Sequence, residues 1–330
     1  MRALRRLFLL AVLAGLGAAG WLYWYATHPL ELPRTPYEFT VRSGASVKGL
    51  ARQLSEEGLL PEQHGFWILA RILQKSGAIQ AGTYLLDKPL TPVELLDKLA
   101  RGDVQLVEVL FVEGTTFRQW RAQLAREPKV RATLPGKSAA EVRSAIGLGD
   151  ELPEGWFFPD TYRFAPGTTD VEILKRAHAS MKKRLAESWA ARDPSLPLKT
   201  PYEALTLASI VEKETGAAAE RPLIASVFAN RIRRGMRLQT DPTVIYGIGE
   251  KYDGNIRKRD LTTDTPFNTY TRDGLPPTPI AMPGAGSLAA VSKPAQSEYL
   301  YFVGKGDGSH YFSRSLEEHN RAVAKYQLKR

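Results

Sequence analysis

Tyr202-Glu-Ala-Leu-Thr-Leu-Ala-Ser-Ile-Val-Glu-Lys-Glu-Thr-Gly216 reads as a helix followed by a break. Leu205, Leu207, Ala208 and Val211 supply its apolar positions, and Gly216 is expected as the C-cap. A second helix follows from about Arg221 to Arg233, with Ile224, Val227, Phe228 and Ile232 as its buried stripe. Glu212 and Glu214 are two positions apart, so they point in different directions and only one can face a given pocket. Leu207, Val211 and Glu214 follow one another at helical steps, which sets Glu214 over the apolar face. Burial there raises a carboxyl pKa, as an acid catalyst at neutral pH requires. The same letters also allow a solvated helix surface on which Glu214 pairs with Lys213 or Arg221.

Downstream, the pattern stops resembling core. Arg237-Leu-Gln-Thr-Asp-Pro-Thr-Val-Ile-Tyr-Gly247 gathers Gln239, Thr240, Asp241, Thr243 and Tyr246 around a proline turn. Phe267-Asn-Thr-Tyr270, Gly274-Leu-Pro-Pro277 and Pro279-Ile-Ala-Met-Pro-Gly284 follow as loops, and loops of this density carry function more often than packing. Neutral polar groups among aromatics suit a sugar, whose hydroxyls take amide and phenol partners and whose faces take apolar rings. Taken singly, each of these residues is also an ordinary turn former. His310 and His319 lie in the last strand-loop-helix piece and are either pocket-lining or structural. None of the five histidines forms a paired metal-ligand spacing, and no GxSxG or GxxxxGK motif occurs. No metal and no cofactor is expected.

Upstream, Pro194 to Pro201 is a break, and Val171 to Trp189 is an amphipathic helix carrying Ile173, Leu174, Ala177, Met181 and Leu185. Residues 117 to 150 read as polar helix with turns, and Gln105 to Val112 as a strand. Before that comes a small β-α-α-β-α unit: strand Phe39-Thr-Val41, helices around Val47–Leu54 and Phe66–Leu73, strand Ala81–Leu86, and a helix opened by Thr91-Pro92 and stopped by Gly102. Pro29 to Pro36 is an extended linker.

The amino terminus carries Arg2, Arg5 and Arg6 before an uncharged apolar run from Leu7 to Ala26, with Trp21, Tyr23, Trp24 and Tyr25 at its far end. Length, aromatic belt and positive flank predict a membrane span with the chain after residue 28 on the non-cytoplasmic side. A signal peptide cleaved near Ala18-Ala-Gly20 is the alternative. Across the 330 residues, 45 basic and 35 acidic side chains give a net charge of +10. That favours anionic surroundings, but no Lys/Arg block is interleaved with aromatics, so nucleic acid is not an expected partner. Cysteine is absent, which excludes disulfides and thiolate metal sites.

Leu207-Ala-Ser-Ile-Val-Glu-Lys-Glu-Thr215, Met236–Tyr246, Asn268-Thr-Tyr270, Gly274-Leu-Pro-Pro277, Tyr299-Leu-Tyr-Phe-Val303 and Glu154-Gly-Trp-Phe-Phe-Pro-Asp-Thr-Tyr162 together resemble the endolytic murein transglycosylases, the YceG-like family, from about residue 37 onward. The resemblance implies an α+β architecture: a transmembrane helix (1–28), a linker (29–36), a LysM-like module (37–104), a connecting α/β region (105–200) and a catalytic domain (201–330). The opening of the module resembles LysM, a fold that recognises N-acetylglucosamine-containing glycans; a small structural domain is the other reading.

By resemblance the catalytic glutamate is Glu214. The Glu214-Thr215 pair is similar to the Glu-Ser of other lytic transglycosylases, and Gln239, Thr240, Asp241, Tyr246, Asn268, Tyr270 and His310 join Thr215 as substrate-binding candidates. The implied reaction is that of a carbon–oxygen lyase on peptidoglycan. Glu214 protonates the oxygen leaving N-acetylmuramic acid and then takes the C6 hydroxyl proton as a 1,6-anhydro ring closes, within nascent strands at the inner membrane. Implied partners are glycan strands, peptidoglycan polymerases and penicillin-binding proteins. A muramidase-type hydrolase pairing Glu214 with Asp241, or a glycan-binding scaffold without catalysis, remains open.

Overall fold

A computed structural model of the chain describes residues 2–328, with side chains from Leu4 onward. Arg2 of the expected positive flank, as a side chain, and residues 329 and 330 of the expected catalytic domain lie outside the described residues. The chain is a mixed α+β protein dominated by helices, and among the described residues its strands form three two-stranded sheets. It divides into two compact units, Met1–Val107 with Arg163–Gly167, and Glu108–Tyr162 with Thr168–Arg330.

The first unit opens with helix α1 (Arg2–Thr27). Its Leu4–Thr27 stretch is long and apolar enough to cross a membrane, with a mean hydropathy of 1.8. Leu7, Phe8, Leu10, Leu13 and Leu16 face no protein, whereas Tyr25 and Ala26 at the far end are buried. Strands β1 (Tyr37–Val41) and β2 (Gly82–Leu86) pair antiparallel, Tyr37 opposite Leu86. Between them lie α2 (Val47–Glu56) and α3 (Gln63–Ile72), and α4 (Pro92–Arg101) follows. Local chemistry sets these ends. Ser46 caps α2, and Thr91 and Glu94 form a capping box ahead of α4 with Pro92 in its first turn. Gly102 closes α4 in the left-handed conformation at φ 66°. Leu50, Leu54, Phe66, Leu95, Leu96 and Leu99 fill the core. Leu30, within the stretch read as linker, is buried there too, and its N–H donates to the Leu90 carbonyl.

From the junction onward run β3 (Val107–Leu110), α5 (Phe117–Arg126), α6 (Ala139–Ile146) and β4 (Thr161–Phe164), which pairs with β3. The second unit continues with α7 (Asp170–Ala190), α8 (Pro201–Glu214), α9 (Arg221–Arg233), α10 (Asp241–Ile248), α11 (Lys258–Thr262) and α12 (Ala285–Ser292). A hairpin of β5 (Tyr301–Gly304) and β6 (His310–Ser313), then α13 (Leu316–Tyr326), completes it. Helix α8 is central, with α7, α9, α10 and α12 packed around it. Leu205, Leu207, Ala208, Ile210 and Val211 are each 0% exposed. Full burial of a Leu, Ile or Val side chain is worth about 1.5–3 kcal/mol, so the rotation of α8 about its axis is strongly fixed.

Three expectations are corrected. Gly216 does not cap α8: Thr215 ends it by turning extended at φ −144°, and Gly216 has no positive φ. Asp241–Ile248 is a helix rather than a turn, since Pro242 falls where a helix tolerates proline. The carboxy-terminal piece contains a second strand, β6.

Candidate active site

The middle of α8, Ala204 to Val211, is buried, and Glu214 at its C-terminal end reaches a cavity. Glu214 lines a cavity of about 460 Å³ whose walls include Gln239, Asp241, Tyr270, His310 and Arg231. Its carboxyl accepts a hydrogen bond from the hydroxyl of Thr240, the N-cap residue of α10. Burial pushes the Glu214 carboxyl up to about 7; Thr240, His310 and Arg231 oppose that rise, and the neighbouring Asp241 adds to it. Glu214 is therefore poised to carry and release a proton near neutral pH.

The wall facing α8 is held by Arg231 of α9, which is buried. Its Nε donates to the Leu300 carbonyl (2.7 Å), and Nη1 donates to the carbonyls of Leu238 (2.8 Å) and Arg237 (3.1 Å) and to Gln239 Oε1 (3.3 Å). The guanidinium also lies 5.0 Å from the centre of the Tyr301 ring. Gln239 sits at φ 51°, an unfavourable conformation for a residue with a Cβ, and its N–H is tied to the Thr269 carbonyl at 3.1 Å. Arg231 thus braces a strained turn that delivers Thr240 to Glu214. Asp241 accepts a 2.6 Å hydrogen bond from the Tyr270 hydroxyl. His310 is gripped by Glu220, whose Oε2 is 2.7 Å from Nδ1 and whose Oε1 accepts the His310 backbone N–H at 3.0 Å. His319, stacked on Tyr301, also lines the cavity.

Glu212 faces elsewhere. It pairs with Arg221 at 3.1 Å and accepts the Gly284 N–H at 2.9 Å. Lys213 donates to the Gly114 carbonyl. Arg221 is committed to Glu212 and Glu113, so the alternative pairing of Glu214 with Lys213 or Arg221 does not occur.

The remaining candidates divide. Gln239, Asp241, Tyr270 and His310 line the cavity, and Thr240 backs Glu214. Thr215 is buried, and its hydroxyl accepts the Ala217 N–H. Asn268 is buried as a loop clamp: its amide donates to the carbonyls of Asp260, Leu261 and Thr263, and its Oδ1 accepts the Tyr270 N–H. Tyr246 faces a different cavity, of about 520 Å³, where its hydroxyl donates to Glu154 at 3.0 Å. Glu154 also accepts the Phe117 N–H at 3.0 Å and is likewise pushed up to about 7 by burial. Phe117, Leu124, Leu134, Leu152 and Phe267 make that second cavity largely apolar. Sequence reasoning passed over Arg231 and Glu220. Arg231 reads as part of a basic helix end, and Glu220 meets His310 only through a contact spanning 90 residues.

Over 310 residues the chain is 31% identical to a protein named endolytic murein transglycosylase from Bacillus subtilis (strain 168), covering 89% of this chain and 85% of that one. A protein of the same name from Streptococcus pneumoniae serotype 2 is 28% identical over 320 residues, and the match spans 57% of its length. The crystal structure of a yceG-like protein from Listeria monocytogenes superposes with a TM-score of 0.57 at 28% identity, over 87% of this chain and 98% of that one. The profile of the YceG-like family matches residues 39–325, and the chain belongs to that family.

Proposed function

We propose that the protein is an endolytic lytic transglycosylase of peptidoglycan, with Glu214 as its acid. The observation that carries this reading is a carboxyl raised to about 7 in a cavity walled by an amide, a carboxylate, phenols and imidazoles. Such groups match a glycan's hydroxyls and acetamides. Protonated Glu214 gives its proton to the glycosidic oxygen between N-acetylmuramic acid and N-acetylglucosamine as the C1–O bond breaks. The C6 hydroxyl then attacks C1, loses its proton to a base and closes the 1,6-anhydro ring. Strand cleavage within nascent glycan would end its elongation, beside peptidoglycan polymerases and penicillin-binding proteins. Residues 37–104 would act as a LysM-like glycan-recognition module, and α1 as an inner-membrane anchor with the rest of the chain periplasmic.

The test is the mass of the ends released from purified glycan strands. Anhydro ends are expected. Reducing ends would mean a hydrolase, and absence of cleavage a scaffold. A reporter fused after residue 330 should be active in the periplasm; activity confined to the cytoplasm would end the peptidoglycan reading.

A further inference from the structure

Thr240 departs from the other threonines that begin helices among the described residues. Thr91, Thr116, Thr169 and Thr200 each accept the amide three positions on, the usual work of an N-cap hydroxyl. Thr240 begins α10 without capping it. The next residues show why. Pro242 has no N–H, and the Thr243 N–H turns to the Thr240 carbonyl at 3.3 Å, so neither amide takes the hydroxyl. We propose that Thr240 is a positioning residue for Glu214: freed from capping and clamped through its backbone by Thr243 and Thr269, it holds one carboxyl oxygen and leaves the other to exchange protons with substrate. This rests on the transglycosylase reading given above.

The clamp is a closed ring of hydrogen bonds. The Thr240 N–H donates to Thr269 Oγ1 at 3.1 Å, and the Thr243 hydroxyl donates to the Thr240 carbonyl at 2.7 Å. The hydroxyls of Thr243 and Thr269 lie 2.9 Å apart. The one proton of Thr243 is spent on the carbonyl, so Thr269 must be the donor between them. All three threonines are buried, and the strained Gln239 precedes them. Both backbone groups of Thr240 are thus fixed from opposite sides, which aims its side chain.

That side chain has one partner, Glu214 Oε1. Its proton has no other acceptor among the described residues, so Oε1 accepts and the acidic proton of Glu214 belongs on Oε2. Oε2 has no hydrogen-bond partner among the described residues and is not sealed from solvent. As C1–O breaks, the Oε2 proton passes to the departing oxygen, and the bond from Thr240 strengthens as the carboxylate forms. The same hydrogen bond opposes the rise that burial imposes on Glu214.

The test uses the full-length protein on purified glycan strands, with anhydro-end release followed against pH. Thr240→Val keeps the shape and removes the hydroxyl. It should lower kcat about 10- to 100-fold with KM within about threefold, because substrate contacts are untouched and only the acid is misplaced. With the hydrogen bond gone, Glu214 should hold its proton more tightly, so the base limb of kcat/KM should move about one pH unit higher. The other ionisable groups acting on Glu214, namely Asp241 of α10, Arg231 of α9, His310 of β6 and Tyr270, stay in place, as do His319 and Tyr301 in the cavity wall. Thr240→Ser restores the hydroxyl and should return both kcat and the limb to within about threefold and a few tenths of a unit of wild type.

A threonine that served only the fold would shift the urea midpoint and leave the limb where it is. An unmoved base limb in folded Thr240→Val, a loss carried by KM, or a Thr240→Ser variant as impaired as Thr240→Val each overturns the assignment. If Thr240→Val does not fold, Thr269→Val decides in its place: it keeps the Thr240 hydroxyl but releases the backbone, and kcat should fall at constant KM. Absence of anhydro product from the wild type would instead sink the transglycosylase reading itself.

Discussion

Glu214 and Glu154 are near twins by local chemistry. Each is pushed up to about 7 by burial, and each accepts a hydroxyl from one short stretch of chain, Thr240 at the start of α10 for Glu214 and Tyr246 within it for Glu154. Their surroundings differ. Glu154 uses one oxygen on the Phe117 N–H and the other on Tyr246, beside leucines and phenylalanines. Glu214 opens into walls of amide, phenol, guanidinium and imidazole. A raised carboxyl is common to both sites; what separates them is the polar lining beside Glu214.

The largest expected effect sharpens that contrast. Glu214→Gln should lower the rate of anhydro-end release on the order of 10²–10⁴-fold, because an amide cannot deliver the proton. Glu154→Gln should stay within about tenfold of wild type, below the range for a lost acid. Comparable losses in two folded variants would erase the distinction. Asp241→Asn comes next. The amide keeps an oxygen to accept the Tyr270 hydroxyl but loses the charge, which should cost roughly tenfold, equivalent to about 1.4 kcal/mol. A loss as deep as that of Glu214→Gln would favour a two-carboxylate hydrolase.

Stability separates the pair in another way. Both carboxyls rise from 4.5 to about 7 on folding. Below 4.5 the native and unfolded chains both hold these protons. Between about 4.5 and 7 the unfolded chain releases them first, so these two groups make stability fall as pH rises and then level off. In urea titrations, Glu154→Gln should lose about 1–3 kcal/mol at pH 5, since its amide meets two donors, and the deficit should narrow towards pH 7. Glu214→Gln should gain on wild type over the same window. A difference from wild type that does not vary with pH would contradict the burial of either group. Glu212→Gln is expected to alter the rate least, within about threefold, because its oxygens serve Arg221 and Gly284 rather than the cavity.

Much of the helical framework could be read from the sequence because α2, α3, α4, α7 and α9 each put an apolar stripe against one side of the core. Helix α12 escaped that reading: Ala285–Ser292 is short, and Leu288, Ala290 and Val291 are buried without a polar face to give a period. Helix α10 escaped because Thr-Asp-Pro is as good a turn as it is a helix start. Glu214 was legible as the polar residue continuing the apolar face of α8. Asn268 and Tyr246 shared the polar and aromatic character of the cavity residues, yet one serves loop carbonyls and the other Glu154. Residue type does not encode which wall a side chain joins. The Arg231 brace and the Glu220–His310 grip depend on pairings many residues apart, which no local period reveals.

Tyr25 and Ala26 give one further consequence. The last turns of α1 are walled into the first unit: Trp21 stacks on Tyr25, and the Tyr25 hydroxyl donates to the Glu62 carbonyl at 3.2 Å. A helix finished in this way works as a bolt rather than a leash. If α1 is fixed in a bilayer, the first unit can neither swivel about it nor drift outward. Its elevation above the lipid is set by the rod, so slipping α1 by one turn would lift or sink the unit by about 5 Å.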